Sequence, residues 1–150
     1  MWTWIGNKFD PAAQPNARLS DVANALGDLR TLSGVRNDAG GIDRELVVGA
    51  ISRMCLDAGL SDEGSSSVDF RDVPNAIGVR VEAGRALTNN GAVLAVLRAA
   101  QDSDVRQLIL VVPQSYKLGF VFPKVNGQLK ELFNGVGIAI SLDGVALLAY

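Results

Sequence analysis

Between Val68 and Val112 the spacing of apolar and polar positions changes several times. Val68 and Phe70 alternate with Asp69 and Arg71, and Ile77, Val79 and Val81 alternate with Gly78, Arg80 and Glu82. Val93, Leu94, Val96, Leu97 and Ala100 then follow a helical spacing, and Gln107–Val112 is almost continuously apolar. The pattern predicts strand, strand, helix, strand, with the last strand covered on both faces. A strand, a helix and such a strand form a crossover unit, so the second and last strands should be parallel. Side chains alternate across a strand, so Gly78, Arg80 and Glu82 should share the face opposite Ile77, Val79 and Val81.

The flanking segments read as cover for this unit. Trp2 and Trp4 precede Asp-Pro and Gln-Pro pairs, which suggests an N-terminal arm anchored on the core. Ser20 is a candidate N-cap for a packing helix over Asp21–Leu32, followed by a polar turn over Gly34–Gly41. A stronger helix runs from Asp43 through Ala58, with Leu46, Val47, Ala50, Ile51, Met54 and Ala58 spaced for burial and Gly59 closing it. Thr88 or Asn89 would cap the helix after Glu82. Pro113 stops the following strand, and Gln114–Lys117 forms a loop at its carboxyl end, where open α/β sheets bind ligands. Val125–Phe133 is a short helix. IAISL and VALLAY, joined by Asp143-Gly144, carry a hairpin signal at the C-terminus.

Composition narrows the chemistry. The 150 residues suit a single domain, with 1–40 as arm and packing helix and 41–150 as core. There is no histidine and one cysteine, Cys55, which removes histidine-based acid–base catalysis, His-ligated metals and any disulfide framework. Met1–Gly6 is too short for a signal peptide and no apolar run reaches a membrane span, so the expectation is a cytoplasmic protein with no membrane partner. Net charge is −2 and the pI about 5.0, which counts against generic nucleic-acid binding. The charge is uneven: residues 1–75 carry seven Lys/Arg against eleven Asp/Glu, and residues 76–150 seven against five.

If the first two strands pair, Asp69 or Asp72 would approach Glu82. Carboxylates on adjacent strands suit Mg²⁺, which takes one or two of them and keeps several waters. The same residues equally suit a solvated sheet face with cross-strand ion pairs. Glu45, in the first turn of its helix, is explained by the helix dipole.

The order helix, two to three strands, helix, strand resembles the αβββαβ core of the PD-(D/E)xK restriction-endonuclease-like superfamily. The resemblance is carried by Gly78-Val79-Arg80-Val81-Glu82-Ala83-Gly84-Arg85-Ala86-Leu87-Thr88-Asn89-Asn90, and by Leu110-Val111-Val112-Pro113 with Ser115-Tyr116-Lys117. It implies an α/β fold, a mixed β-sheet flanked by helices with a C-terminal hairpin, and Mg²⁺- or Mn²⁺-dependent hydrolysis of nucleic acid, DNA by expectation. By that resemblance Asp72, or Asp69, is the first acid and Glu82 the second, with Glu45 as the helix carboxylate. Metal ligands would then come from Glu45, Asp69, Asp72 and Glu82, with Arg85 and Lys117 as the cations of the catalytic set. The chain departs from the pattern at one point. The lysine position two residues after Glu82 is Gly84; if Glu82 itself stands at the lysine position, the preceding acid is Arg80. An arginine binds phosphate but cannot act as a base. The alternatives are therefore a catalytically inactive nuclease-like binding or assembly module, and a homodimer formed through the C-terminal hairpin.

Overall fold

The computed structural model describes residues 2–10, 13–27, 29, 32, 34–36, 41–63, 65–117, 119–135 and 139–150. Its frame is a mixed five-stranded sheet built from β1 (Trp2–Gly6), β2 (Phe70–Asp72), β3 (Ile77–Val81), β4 (Gln107–Val112) and β7 (Gly144–Ala149), in the order β1-β7-β4-β3-β2. The three inner strands are parallel to one another, and β1 and β2 are antiparallel edges. Strands β5 (Ser115–Tyr116) and β6 (Gly119–Phe120) form a separate small hairpin. Four helices cover the sheet: α1 (Ala17–Leu26), α2 (Arg44–Asp57), α3 (Gly91–Ala100) and α4 (Phe122–Asn134). Among the described residues no helix is long and apolar enough to cross a membrane.

Alternation in the parallel strands divides the interior into two cores. Val79, Val81, Ile109, Val111, Ala146 and Leu148 face α1 and α2, where they meet Leu19, Val22, Val47 and Ile51. Leu108, Leu110, Val112, Val145 and Leu147 face α3 and α4, where they meet Val96, Val125, Leu129 and Phe133. This two-sided burial explains the continuous apolar run in β4, whose six residues are all buried. The crossover β3–α3–β4 has the parallel register expected, with Val79 opposite Ile109.

Several boundaries differ from expectation. The N-terminal residues are a sheet edge rather than an arm, because the edge of β7 away from β4 needs a hydrogen-bonding partner and Trp2-Thr3-Trp4-Ile5 consists of good strand formers. Helix α1 starts at Ala17, since Asn16 takes the capping role expected of Ser20 and accepts from the Leu19 N–H at 2.7 Å. It stops at Leu26 because Gly27, at φ 64°, leaves the helix. Residues 28, 30, 31 and 37–40, within the expected helix and turn, lie outside the described residues. Helix α2 matches its expected span, with Asp43 as N-cap, but Leu46 and Ala50 are exposed, and Cys55 joins Val47 and Ile51 on the buried face. In α3 the contact face consists of Ala92, Ala95, Val96 and Ala99, and Leu94 and Leu97 point outward. Small side chains let the helix lie close on the sheet. The expected cap of α3 is also absent: Thr88–Asn90 forms a 3₁₀ turn, and Asn90 leads into the helix with a left-handed backbone and no side-chain cap bond.

The C-terminal hairpin does not form. β7 is flanked by β1 and β4, so residues 139–143 have no slot in the sheet, and the surface expected to join two copies is interior. Ile138 lies outside the described residues. Gly144 is not a turn glycine but the first residue of β7. A Cβ there would stand 2.5 Å from the Trp4 ring, so the residue makes room for β1.

Candidate functional site

β3, β4 and the start of α2 converge at one end of the sheet. There the chain leaves β3 through Glu82, Ala83, Gly84 and Arg85 and leaves β4 toward Tyr116 and Lys117, while α2 begins at Arg44. These residues, with Ile42 and Thr88, line an open cleft of about 480 Å³. The cleft lies at the carboxyl ends of parallel strands, the position open α/β sheets use for ligands.

Two features set its shape. Glu82 is pinned through its backbone: its N–H donates to Val111 O at 2.8 Å and its carbonyl accepts from the Tyr150 hydroxyl at 2.9 Å. Burial, with the Glu82 charge adding to it, pushes that hydroxyl above the ordinary tyrosine range and keeps it a donor. Gly84 lies under the Tyr116 ring, where a Cβ would come within 2.6 Å of the ring carbons. A side chain at this position does not fit while Tyr116 holds its place.

Arg44 is the centre of the electrostatics. Its Nε donates to Val81 O at 2.9 Å, one terminal nitrogen donates to Asp69 Oδ1, and the other donates to Glu45 Oε1 at 3.1 Å. Burial alone would lower the Arg44 pKa, but the Asp69 hydrogen bond and charge, with Glu82 and Glu45 behind them, outweigh it and hold the group above its usual value. The other Asp69 oxygen accepts from the Val81 N–H at 2.8 Å. This contact is possible because two residues oppose one at this point: the Asp69 N–H donates to Val79 O while Phe70 is also paired with Val79. The bulge breaks the alternation expected over Val68–Arg71, placing Val68 in the core on the α3 side and Phe70 in the core on the α2 side. Beside it, Arg80 Nε donates to Glu82 Oε1 at 3.0 Å, so these two share a face as their spacing requires.

The structure therefore brings Glu45, Asp69 and Glu82 to one end of the sheet, and Arg85 and Lys117 to the same cleft. Asp72 is not brought there. It pairs with Ile77, five residues before Glu82, about 16 Å away at strand rise. Its carboxylate instead accepts from Arg18 Nε at 2.8 Å and from Asn75. Those hydrogen bonds overcome the effect of burial and hold it below the usual carboxylate range.

The donor set does not fit Mg²⁺ or Mn²⁺ as it stands. Both Asp69 oxygens are engaged, Glu82 is paired with Arg80, and the Arg44 guanidinium stands among the remaining oxygens. Among the described residues no group of three or more Asp, Glu, Cys or His is arranged to hold a metal ion. With Arg44 and Arg80 matched by carboxylates, Arg85 and Lys117 remain as exposed cations without an ion pair among the described residues, and Lys117 lies over the Tyr116 ring at 5.5 Å.

Arg44 escaped the reading of the sequence. Its signal was its place: an arginine in the first turn of a helix opposes the helix dipole, so it needs a compensating anion elsewhere in the fold. Comparison of the chain with family models, curated proteins and solved structures found no match.

Proposed function

We propose that this chain is a nuclease-like domain that binds the phosphodiester backbone of nucleic acid, DNA by preference, in the cleft at the carboxyl ends of β3 and β4, without hydrolysing it. One observation carries the reading: Arg44 takes up the oxygens a catalytic metal would need, while Arg85 and Lys117, without an ion pair among the described residues, line the cleft together with Thr88. Cations without carboxylate partners attract phosphate and release its counterions on binding. A net charge of −2 makes this a local, salt-sensitive attraction, not a property of the whole surface.

Fluorescence anisotropy with labelled single- and double-stranded DNA and RNA tests it, in EDTA and across a salt series. Binding should weaken with salt, and Arg85→Ala and Lys117→Ala should each weaken it and reduce the salt slope by about 1. Binding that ignores both substitutions overturns the proposal. A metal-dependent nuclease is the second reading, favoured by the gathering of Glu45, Asp69 and Glu82 at one end of the sheet. Cleavage in Mg²⁺ or Mn²⁺ that Glu82→Ala and Asp69→Ala abolish would establish it in place of the first.

A further inference from the structure

Helix α2 buries Val47, Ile51 and Cys55 and turns the opposite side outward. There Leu46 is 46% exposed and Leu56 45%, with Gly49, Ala50 and Arg53 exposed between them. Positions 46, 49, 53 and 56 recur at helical spacing, so the apolar groups form one strip and are not scattered singly. Gly49 is the anomaly in it. Glycine inside a helix is less stable than alanine, and the fold gives no reason for it, since a Cβ there would meet nothing within 4 Å. What the missing side chain provides is room for another backbone to come close.

The charges on this face are arranged about the same residue. Glu45, 80% exposed, and Arg53, 91% exposed, stand four residues before and four after Gly49, about 6 Å to either side along the helix. Two copies of α2 packed antiparallel about a twofold axis at Gly49 therefore set each Glu45 beside Arg53 of the partner subunit. The same operation sets each half-buried Ile42, seven residues before Gly49, beside Leu56 of the partner subunit. Parallel packing would instead bring like charges together. The face is thus complementary to itself in one orientation, as a twofold interface must be.

We propose that the outward face of α2 is a docking surface for a second copy of this chain, paired antiparallel about Gly49. Helix α2 has 14 residues and is about 21 Å long, so the pairing is small beside stable interfaces of about 1,200–2,000 Å² and forms a reversible, concentration-dependent dimer. It also reaches the cleft. Glu45 accepts from Arg44 at 3.1 Å and Ile42 lines the cleft wall, so each cleft gains Arg53 of the partner subunit at its rim. The proposal rests on the surface of α2 and is tested without nucleic acid.

Analytical ultracentrifugation from about 1 μM to 1 mM, the range in which weak pairs associate, measures the equilibrium. The native chain should shift from monomer to dimer. Gly49→Leu, which blocks the close approach, and Arg53→Glu, which reverses one charge of each pair, should each raise the dimer Kd about tenfold or more while keeping the native circular dichroism. Glu45→Arg should do the same. Mixed in equal amounts, Arg53→Glu and Glu45→Arg restore opposite charges at both contacts and should dimerise again, although neither does so alone. A native chain that stays monomeric at every concentration overturns the proposal and leaves the strip to a different partner. A dimer that ignores both Gly49→Leu and Arg53→Glu overturns it, as does a mixture of the two folded charge variants that stays monomeric. Should Glu45→Arg fail to fold beside Arg44, Gly49→Leu and Arg53→Glu decide, because both positions are exposed.

Discussion

Replacing Asp72 by alanine separates a structural carboxylate from a catalytic one. The Asp72 side chain is 7% exposed and accepts from Arg18 Nε at 2.8 Å. It also accepts from the Asn75 side chain at 3.0 Å, which ties the turn before β3 to its own strand. Arg18, from α1, donates in addition to Ala58 O at the end of α2, so one guanidinium links both helices to the edge strand. Breaking a fully buried ion pair by removing one partner costs about 3–5 kcal/mol. The Arg18 side chain is 31% exposed and water recovers part of its solvation, which brings the expected cost to about 2–3 kcal/mol. Against a total stability of about 5–15 kcal/mol this is a large fraction. At about 2–4 °C per kcal/mol for a chain of this size, the Tm should fall by about 4–12 °C. Calorimetry and urea unfolding at pH 7 measure it, and DNA affinity in EDTA, taken well below the Tm, should be unchanged because Asp72 lies at the far end of β3 from the cleft. A variant within about 0.5 kcal/mol of the native chain would refute the reasoning. A variant that stays stable but loses DNA binding would return Asp72 to the functional site.

Other outcomes follow from the same structure. Asp72 and Asp102 are both held below the usual carboxylate range, in each case by hydrogen bonds and a nearby arginine acting against burial. The unfolded chain therefore binds more protons at low pH. Their contribution is fully present above about pH 4 and is lost as pH falls through their lowered folded values. Between pH 7 and pH 3, Asp72→Asn with Asp102→Asn should lose less stability to acid than the native chain, and an unchanged loss in urea titrations would contradict this. Gly84→Ala should cost about 1–3 kcal/mol through the Tyr116 clash and weaken DNA binding. Adding Tyr116→Ala should recover part of that stability, and a double-mutant cycle with no coupling would remove the clash as the cause. The Cys55 thiol is fully buried, and burial followed by the Asp69 charge pushes its pKa to about 12. It should ignore a thiol reagent at pH 8 in the native state and react once urea unfolds the chain; rapid native-state labelling would show that α2 opens.

The periodicity of the chain carried the central unit from β2 to β4, the parallel crossover and the span of α2, because each depends on residues close in sequence. It also placed Arg80 and Glu82 on one face and Lys117 at the carboxyl end of β4. Which carboxylate joins Glu82 was not legible. Asp69 and Asp72 are equivalent by type and only three residues apart, and it is the pairing register, with Asp72 opposite Ile77 and a bulge at Asp69, that sends one to the cleft and the other to Arg18. Gly84 was visible as a departure, but the Tyr116 ring that leaves no room for a side chain there was not.

The ends of the chain show where local pattern stops being decisive. IAISL, Asp143-Gly144 and VALLAY have the composition of a hairpin, yet β7 finds partners in β1 and β4, both more than thirty residues away. A strand takes the neighbours that bury both its faces and satisfy both its edges, and that choice belongs to the whole sheet. Arg44 follows the same logic. In sequence it is one polar residue beside a helix cap, and it becomes the central charge of the site only when folding sets Asp69, Val81 O and Glu45 around it. Strand and helix periods are read from neighbours along the chain. Compensation of a buried charge is decided among residues that only the folded chain brings together.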